Sequence, residues 1–206
     1  MQRILKDAKD DDGYLERVVE AATTPNGVFG AKVHWEHFLN LIAKTGRGSP
    51  QASTVPGSLP ERLREHLPDL RYVWLVRRNA VARAISHYRV KKTNQWQLDS
   101  RWITDDTGGE GEPCFDFGEI DAFVRVGAVE DAHWREFFQR HDILPLELTY
   151  EDLLQDLEGN VRHVLGFLGI PTENIKVPAP TLRRQADHLS REWEARYRQM
   201  CATAIT

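Results

Sequence analysis

Two guanidinium groups stand side by side at Arg77 and Arg78, directly after the apolar run "RYVWLV" and before "NAVARAISHYR". Arginines placed where a strand ends and a helix begins suit an anion. A helix N-terminus offers free N–H groups and the positive end of its dipole, and a guanidinium can hold a phosphate through two parallel hydrogen bonds. Ser86 adds a hydroxyl eight residues after Arg78, about 12 Å further on if the chain between them is a straight helix. The two side chains therefore converge on one anion only if the helix starts some residues after Arg78. The same residues read equally as an arginine paired with a nearby carboxylate and a serine facing water.

The elements that must position this pair follow from periodicity. Residues Arg71 to Val76 are apolar without alternation, which predicts a strand buried on both faces, as in a parallel sheet. Asn79 is the expected N-cap of the next helix. Two more strands are predicted, at Gly27–Trp35 ("GVFGAKVHW") and Ile143–Tyr150 ("ILPLELTY"). Helical runs are predicted at Leu15–Ala22, Glu36–Lys44, "ERLREHL", "EIDAFVRVGAVEDAHWREFFQRH", and from Tyr150 to Ile170 with an interruption at Gly159. "REWEARYRQM" predicts a last helix. Strands alternating with helices give an α/β fold with a mainly parallel sheet flanked by helices. In such sheets ligands bind beyond the carboxyl ends of the strands, where Arg77 and Arg78 stand.

The 206 residues, 41% of them hydrophobic, suit one domain over 1–206. Residues 1–25 read as an N-terminal helical arm, 97–116 as a long polar loop, and 178–206 as a basic tail with a C-terminal helix. A formal net charge of -4 gives no general attraction to nucleic acid or anionic membrane, so any anion site is local. Cys114 and Cys201 make no disulfide framework, no apolar run is long enough for a transmembrane segment, and the N-terminus lacks a signal-peptide core. A cytoplasmic protein is expected. His87 and His133 show no metal-ligand spacing, so no metal site is expected. Trp35, Trp96 and Trp102 suit stacking on a sugar face or ordinary packing, and Asp99, Asp105 and Asp106 suit sugar hydroxyls or water. Trp134, Phe137 and Phe138 share a helix face and are expected in the core.

"RNAVARAISHY" resembles the 3′-phosphate motif of sulfotransferases that use 3′-phosphoadenosine 5′-phosphosulfate. Together with "NGVFGAKVHW", "ILPLELTYEDL" and "LRRQADHLSREWEARYR", in that family's order, it makes the chain similar to the bacterial trehalose 2-sulfotransferases. The resemblance implies a sulfotransferase-like fold related to P-loop NTPases. It implies transfer of a sulfuryl group to a hydroxyl of a carbohydrate such as trehalose, on a small-molecule or glycolipid acceptor. It places Arg78 and Ser86 on the 3′-phosphate, Tyr150 on the adenine, and Arg183 and Arg184 in a basic loop that closes on the nucleotide. Lys32 and His34 match a lysine–histidine pair that serves related cytosolic enzymes as charge stabiliser and general base, although the trehalose enzymes use a glutamate.

One departure stands out. The strand and Ser/Thr/Gly-rich loop that cradle the 5′-phosphosulfate are not found before Gly27. "GRGS" at Gly46–Ser49 follows a helix and lacks the phosphate-loop form. The chain reads as the C-terminal three-quarters of a family member lacking the N-terminal strand. An alternative is therefore a shortened, catalytically impaired member that binds nucleotide or a partner chain. A sheet edge left open by the absent strand would favour a homo-oligomer. A kinase-like fold is disfavoured because no Walker-type loop occurs.

Overall fold

The computed structural model describes residues 14–45, 59–93, 113–173, 175–179 and 188–203. In chain order the elements are α1 Tyr14–Ala22, α2 Trp35–Thr45, α3 Leu59–His66, β1 Val73–Val76, α4 Ala80–Thr93, α5 Phe117–Arg140, β2 Leu146–Thr149, α6 Tyr150–Gln155, α7 Leu157–Phe167 and α8 His188–Thr203. The fold is α/β. Its sheet among the described residues is the parallel pair β1 and β2, in the register Val73 to Leu146, Trp74 to Glu147, Leu75 to Leu148 and Val76 to Thr149.

The strand expected at Gly27–Trp35 does not form. Gly27 takes a positive φ of 80° in a turn, and the Thr24 hydroxyl, which donates to the Val28 carbonyl (2.8 Å), also accepts the Val28 N–H (3.2 Å). Residues 30–34 are exposed. With residues 30–34 exposed, the run lacks the continuous buried face that stabilises a strand. The expectation that β1 is buried on both faces also fails: Val73 and Leu75 are 40% and 50% exposed.

The chain groups into two compact units, Met1–Tyr72 with His133–Leu144 and Val73–Ala132 with Pro145–Thr206. The first is built on aromatic rings. Phe38 lies 4.8 Å from Trp134 and 4.9 Å from Phe137, centroid to centroid, and Trp134 stacks on Phe138. Trp35 packs edge-on to Trp134 at 5.0 Å, so of its two expected uses packing is the one observed; Trp96 and Trp102 lie outside the described residues.

The second unit carries the α4 face. Ala84, Ile85 and Tyr88 bury against Ile120 of α5 and Trp193 and Tyr197 of α8. Their spacing is that of one helical stripe, and each large side chain removed from water contributes about 1.5–3 kcal/mol. The two tyrosines keep their hydroxyls satisfied. Tyr88 donates to the Cys114 carbonyl at 2.7 Å and Tyr197 to the Asp121 carboxylate at 2.7 Å.

Side-chain caps among the described residues set where helices start. Asn79 accepts the Ala82 N–H at 3.0 Å, as its N-cap assignment requires. Thr149 accepts the Asp152 N–H at 3.1 Å. Asp156 accepts the Gly159 N–H at 2.8 Å, and it is at Asp156 that the helical stretch after β2 breaks into α6 and α7. The break expected at Gly159 therefore falls three residues earlier. Gly159 lies inside α7, where a Cβ would collide with the capping carboxylate. Among the described residues no helix is long and apolar enough to cross a membrane.

Candidate functional site

The register of β1 and β2 determines what meets beyond their carboxyl ends. Val76 lies opposite Thr149, so the next residues out are Arg77 and Tyr150, then Arg78 and Glu151. The Arg77 guanidinium carbon sits 4.6 Å from the centre of the Tyr150 ring, within range of a cation–π contact. One face of Tyr150 is thereby covered by an arginine. Glu151 reaches back across the strand ends and accepts the backbone N–H groups of Arg78 (3.1 Å) and Asn79 (3.3 Å). Asp152 takes the Arg78 side chain, with Nη2 donating to Oδ1 at 2.8 Å and to Oδ2 at 2.6 Å.

The N-terminal end of α4 thus holds two carboxylates, in line with its N–H groups and dipole. Partial burial alone pushes the Glu151 carboxyl up, but the N–H donors of Arg78, of Glu151 itself and of Asn79, with the Arg77 charge, outweigh it and hold it low. Asp152 is held low first by the Thr149 hydroxyl and then, against some desolvation, by Arg78. The Arg78–Asp152 pair is open to solvent, its side chains 59% and 42% exposed. An exposed pair contributes only about 0–1 kcal/mol, so another anion can replace the carboxylate at small cost.

Ser86 is seven residues past the N-cap. Two helical turns place it on the Asn79 face of α4, away from the stripe of Ala84, Ile85 and Tyr88, and about 10 Å along the axis. No hydrogen bond joins Ser86 to Arg78. Convergence on one ligand depends on the length of the arginine side chain, whose present partner is Asp152.

The structure thus brings Arg77, Arg78 and Tyr150 to one end of the sheet, with Ser86 on the adjoining helix face. Lys32 and His34 belong to the other compact unit. They are exposed in the segment ahead of α2, where the His34 carbonyl accepts the Phe38 N–H at 2.9 Å. Arg183 and Arg184 lie outside the described residues.

Sequence reasoning missed the carboxylates. Glu151 and Asp152 are two acids at the start of a predicted helix, and their reach to residues 78 and 79 needs the strand register. Glu194 was missed too. It accepts Asn79 Nδ2 and Arg198 Nη2, both at 2.9 Å, and ties α8 to the cap of α4.

The residues at this end fit an anion by direct observation: a guanidinium and two main-chain amides already hold carboxylate oxygens within hydrogen-bond distance. Comparison with known proteins bears on which anion. The family model described as Stf0 sulphotransferase matches residues 2–200. A trehalose 2-sulfotransferase of Mycobacterium tuberculosis is 28% identical over 190 residues, covering 90% of this chain and 66% of that protein. One from Mycolicibacterium smegmatis is 28% identical over 195 residues, covering 90% of this chain and 65% of that protein. The chain spans just under two thirds of the length of these relatives.

Proposed function

The chain belongs to the Stf0 sulphotransferase family, and from that premise we propose that it transfers a sulfuryl group from 3′-phosphoadenosine 5′-phosphosulfate to a hydroxyl of a carbohydrate such as trehalose. The observation that carries this reading is the anion grip at the carboxyl end of β1, where Arg78 holds an oxyanion at 2.6 Å beside a helix whose Ser86 lies on the same side. The framework it implies is the P-loop-NTPase-like fold of sulfotransferases.

In this reading Arg78 and Ser86 hold the 3′-phosphate, and Arg183 and Arg184 close over it. Tyr150 offers the adenine its hydroxyl edge or the ring face not covered by Arg77. When bound, the donor supplies the sulfuryl group. His34 takes the proton of the acceptor hydroxyl, a role that adds roughly 10²–10⁴-fold in rate. Lys32 offsets negative charge that develops near the reacting atoms. The 3′-phosphate grip lies away from the sulfur. It supplies binding energy and orientation, which count because such transfers rest mostly on positioning.

The test is calorimetric titration with 3′-phosphoadenosine 5′-phosphate. Arg78→Ala should weaken binding by about 1.5–3 kcal/mol, the range for hydrogen bonds to charged groups. The lower end is expected because the guanidinium is more than half exposed. Affinity unchanged by this substitution overturns the reading. Mass spectrometry of trehalose incubated with the chain and the sulfate donor then tests turnover.

A second reading, a member that binds nucleotide or a partner chain without turnover, is favoured by Val73 and Leu75, which leave apolar surface of β1 exposed. Nucleotide binding with no sulfated product would support it.

A further inference from the structure

Resting on the nucleotide reading above, we infer that Asp152 is an internal competitor for the 3′-phosphate and sets the affinity of the site. It occupies on Arg78 the position that the ligand must take.

The geometry of the guanidinium carries the argument. A guanidinium presents two edges capable of a two-point grip, Nε with Nη2 and Nη1 with Nη2. Nη2 belongs to both. Asp152 places Oδ1 at 2.8 Å and Oδ2 at 2.6 Å from that shared nitrogen. While the pair stands, neither edge is open for bidentate binding of a phosphate. A carboxylate that merely oriented the arginine would take one edge and leave the other whole.

The nearest main-chain donors are already engaged. The main-chain N–H groups of Arg78 and Asn79 already serve Glu151. A two-point grip on the phosphate therefore uses the Arg78 guanidinium, with the Ser86 hydroxyl beside it, and Asp152 must yield Nη2 for it to form. The exposure of the pair makes that exchange easy. Asp152 does not leave the area when it yields, because its own N–H is tied to the Thr149 hydroxyl at 3.1 Å and its backbone belongs to α6. A bound phosphate consequently has a carboxylate as a close neighbour, and like charges weaken its binding. The pair keeps an empty site electrically quiet and lowers the affinity of the filled one.

The experiment is titration of the chain with 3′-phosphoadenosine 5′-phosphate and, separately, with adenosine 5′-monophosphate, in wild type, Asp152→Asn, Asp152→Ser and Arg78→Ala. Both Asp152 variants should bind the 3′-phosphorylated nucleotide about three- to tenfold more tightly than wild type, the span of one exposed pair together with one like-charge neighbour. They should show no such gain for adenosine 5′-monophosphate, and Arg78→Ala should bind more weakly than wild type. Asparagine keeps the shape of the side chain; should that variant fail to fold, the serine variant decides. Equal or weaker binding by the Asp152 variants, beside a weakened Arg78→Ala, overturns the competitor role and leaves the nucleotide reading standing. An equal gain for adenosine 5′-monophosphate overturns it as well, because the effect would then be one of net charge. Failure of every variant to bind the 3′-phosphorylated nucleotide, or an Arg78→Ala that binds like wild type, overturns the nucleotide reading and the competitor role together.

Discussion

Arg83 shows how one missing methyl can hold a helix pair together. Its guanidinium meets Asp131 of α5 in a two-point bond, Nη1 to Oδ1 at 2.9 Å and Nη2 to Oδ2 at 3.0 Å, with both side chains about four-fifths buried. It reaches that position by crossing Gly127, where a Cβ would lie 2.5 Å from Nη2 and 3.0 Å from Cζ. Glycine costs a helix interior about 0.5–1 kcal/mol relative to alanine, so by propensity alone Gly127→Ala should stabilise α5. The opposite is expected. Because Asp131 pins the guanidinium, the added methyl should break or distort the pair and destabilise the chain by a net of about 1–2 kcal/mol. In an Asp131→Asn background the arginine is free to swing aside, and the same substitution should become neutral or stabilising. Urea denaturation of the four chains of this cycle checks the claim, and an equal cost in both backgrounds would refute the pinned-arginine account. From the sequence, Gly127 is only a weak point in a long helix, because its reason lies on another element.

Among elements, α8 does more than cover the core. Trp193 and Tyr197 bury against α4, Arg89 donates to the Ser190 hydroxyl at 2.7 Å, and Glu194 bonds the N-cap residue Asn79. Partial burial alone pushes the Glu194 carboxyl up, but the bonds from Asn79 and Arg198 and the charges of Arg198 and Arg77 outweigh it, and the net direction is down from 4.5. A carboxyl depressed by folding contributes stability above its unfolded value and loses that contribution as pH falls through the depressed one. The stability gap between wild type and Glu194→Gln should therefore be constant above about pH 4.5 and shrink below it. Denaturation at pH 7, 5, 4 and 3 measures it, and a gap independent of pH would show that the charge of Glu194 has no part. The helices are the legible part of this sequence, because their apolar residues recur at helical spacing, as Ala84, Ile85 and Tyr88 do on α4. The strand expected at Gly27–Trp35 misled because a short apolar run with glycines looks the same whether or not a neighbouring strand exists to receive it. The two strands among the described residues could be found from composition, but not their register. The carboxylates facing Arg78 depend on that register, so only the alternatives of phosphate or carboxylate could be read, not that Asp152 would be the partner.

Across the molecule, Arg78, Ser86 and Tyr150 all belong to the unit formed by Val73–Ala132 and Pro145–Thr206. Binding of 3′-phosphoadenosine 5′-phosphate should slow amide hydrogen exchange most at residues 77–86 and 146–152, with little change at 14–45. Strongest protection in the first unit would place the nucleotide elsewhere. Local opening is where ligand stabilisation of this kind registers. The pairing of Val76 with Thr149 reaches beyond the sheet itself. Two strands of four residues each act as a ruler, and every meeting past their ends is a reading on it: arginine over tyrosine, amide on glutamate, guanidinium on aspartate. Adding or dropping one residue within Leu146–Thr149 would shift each reading by a notch and set a different side chain before Arg78. The connection at 141–145 lies ahead of the zero mark, so a change of length there leaves every reading intact.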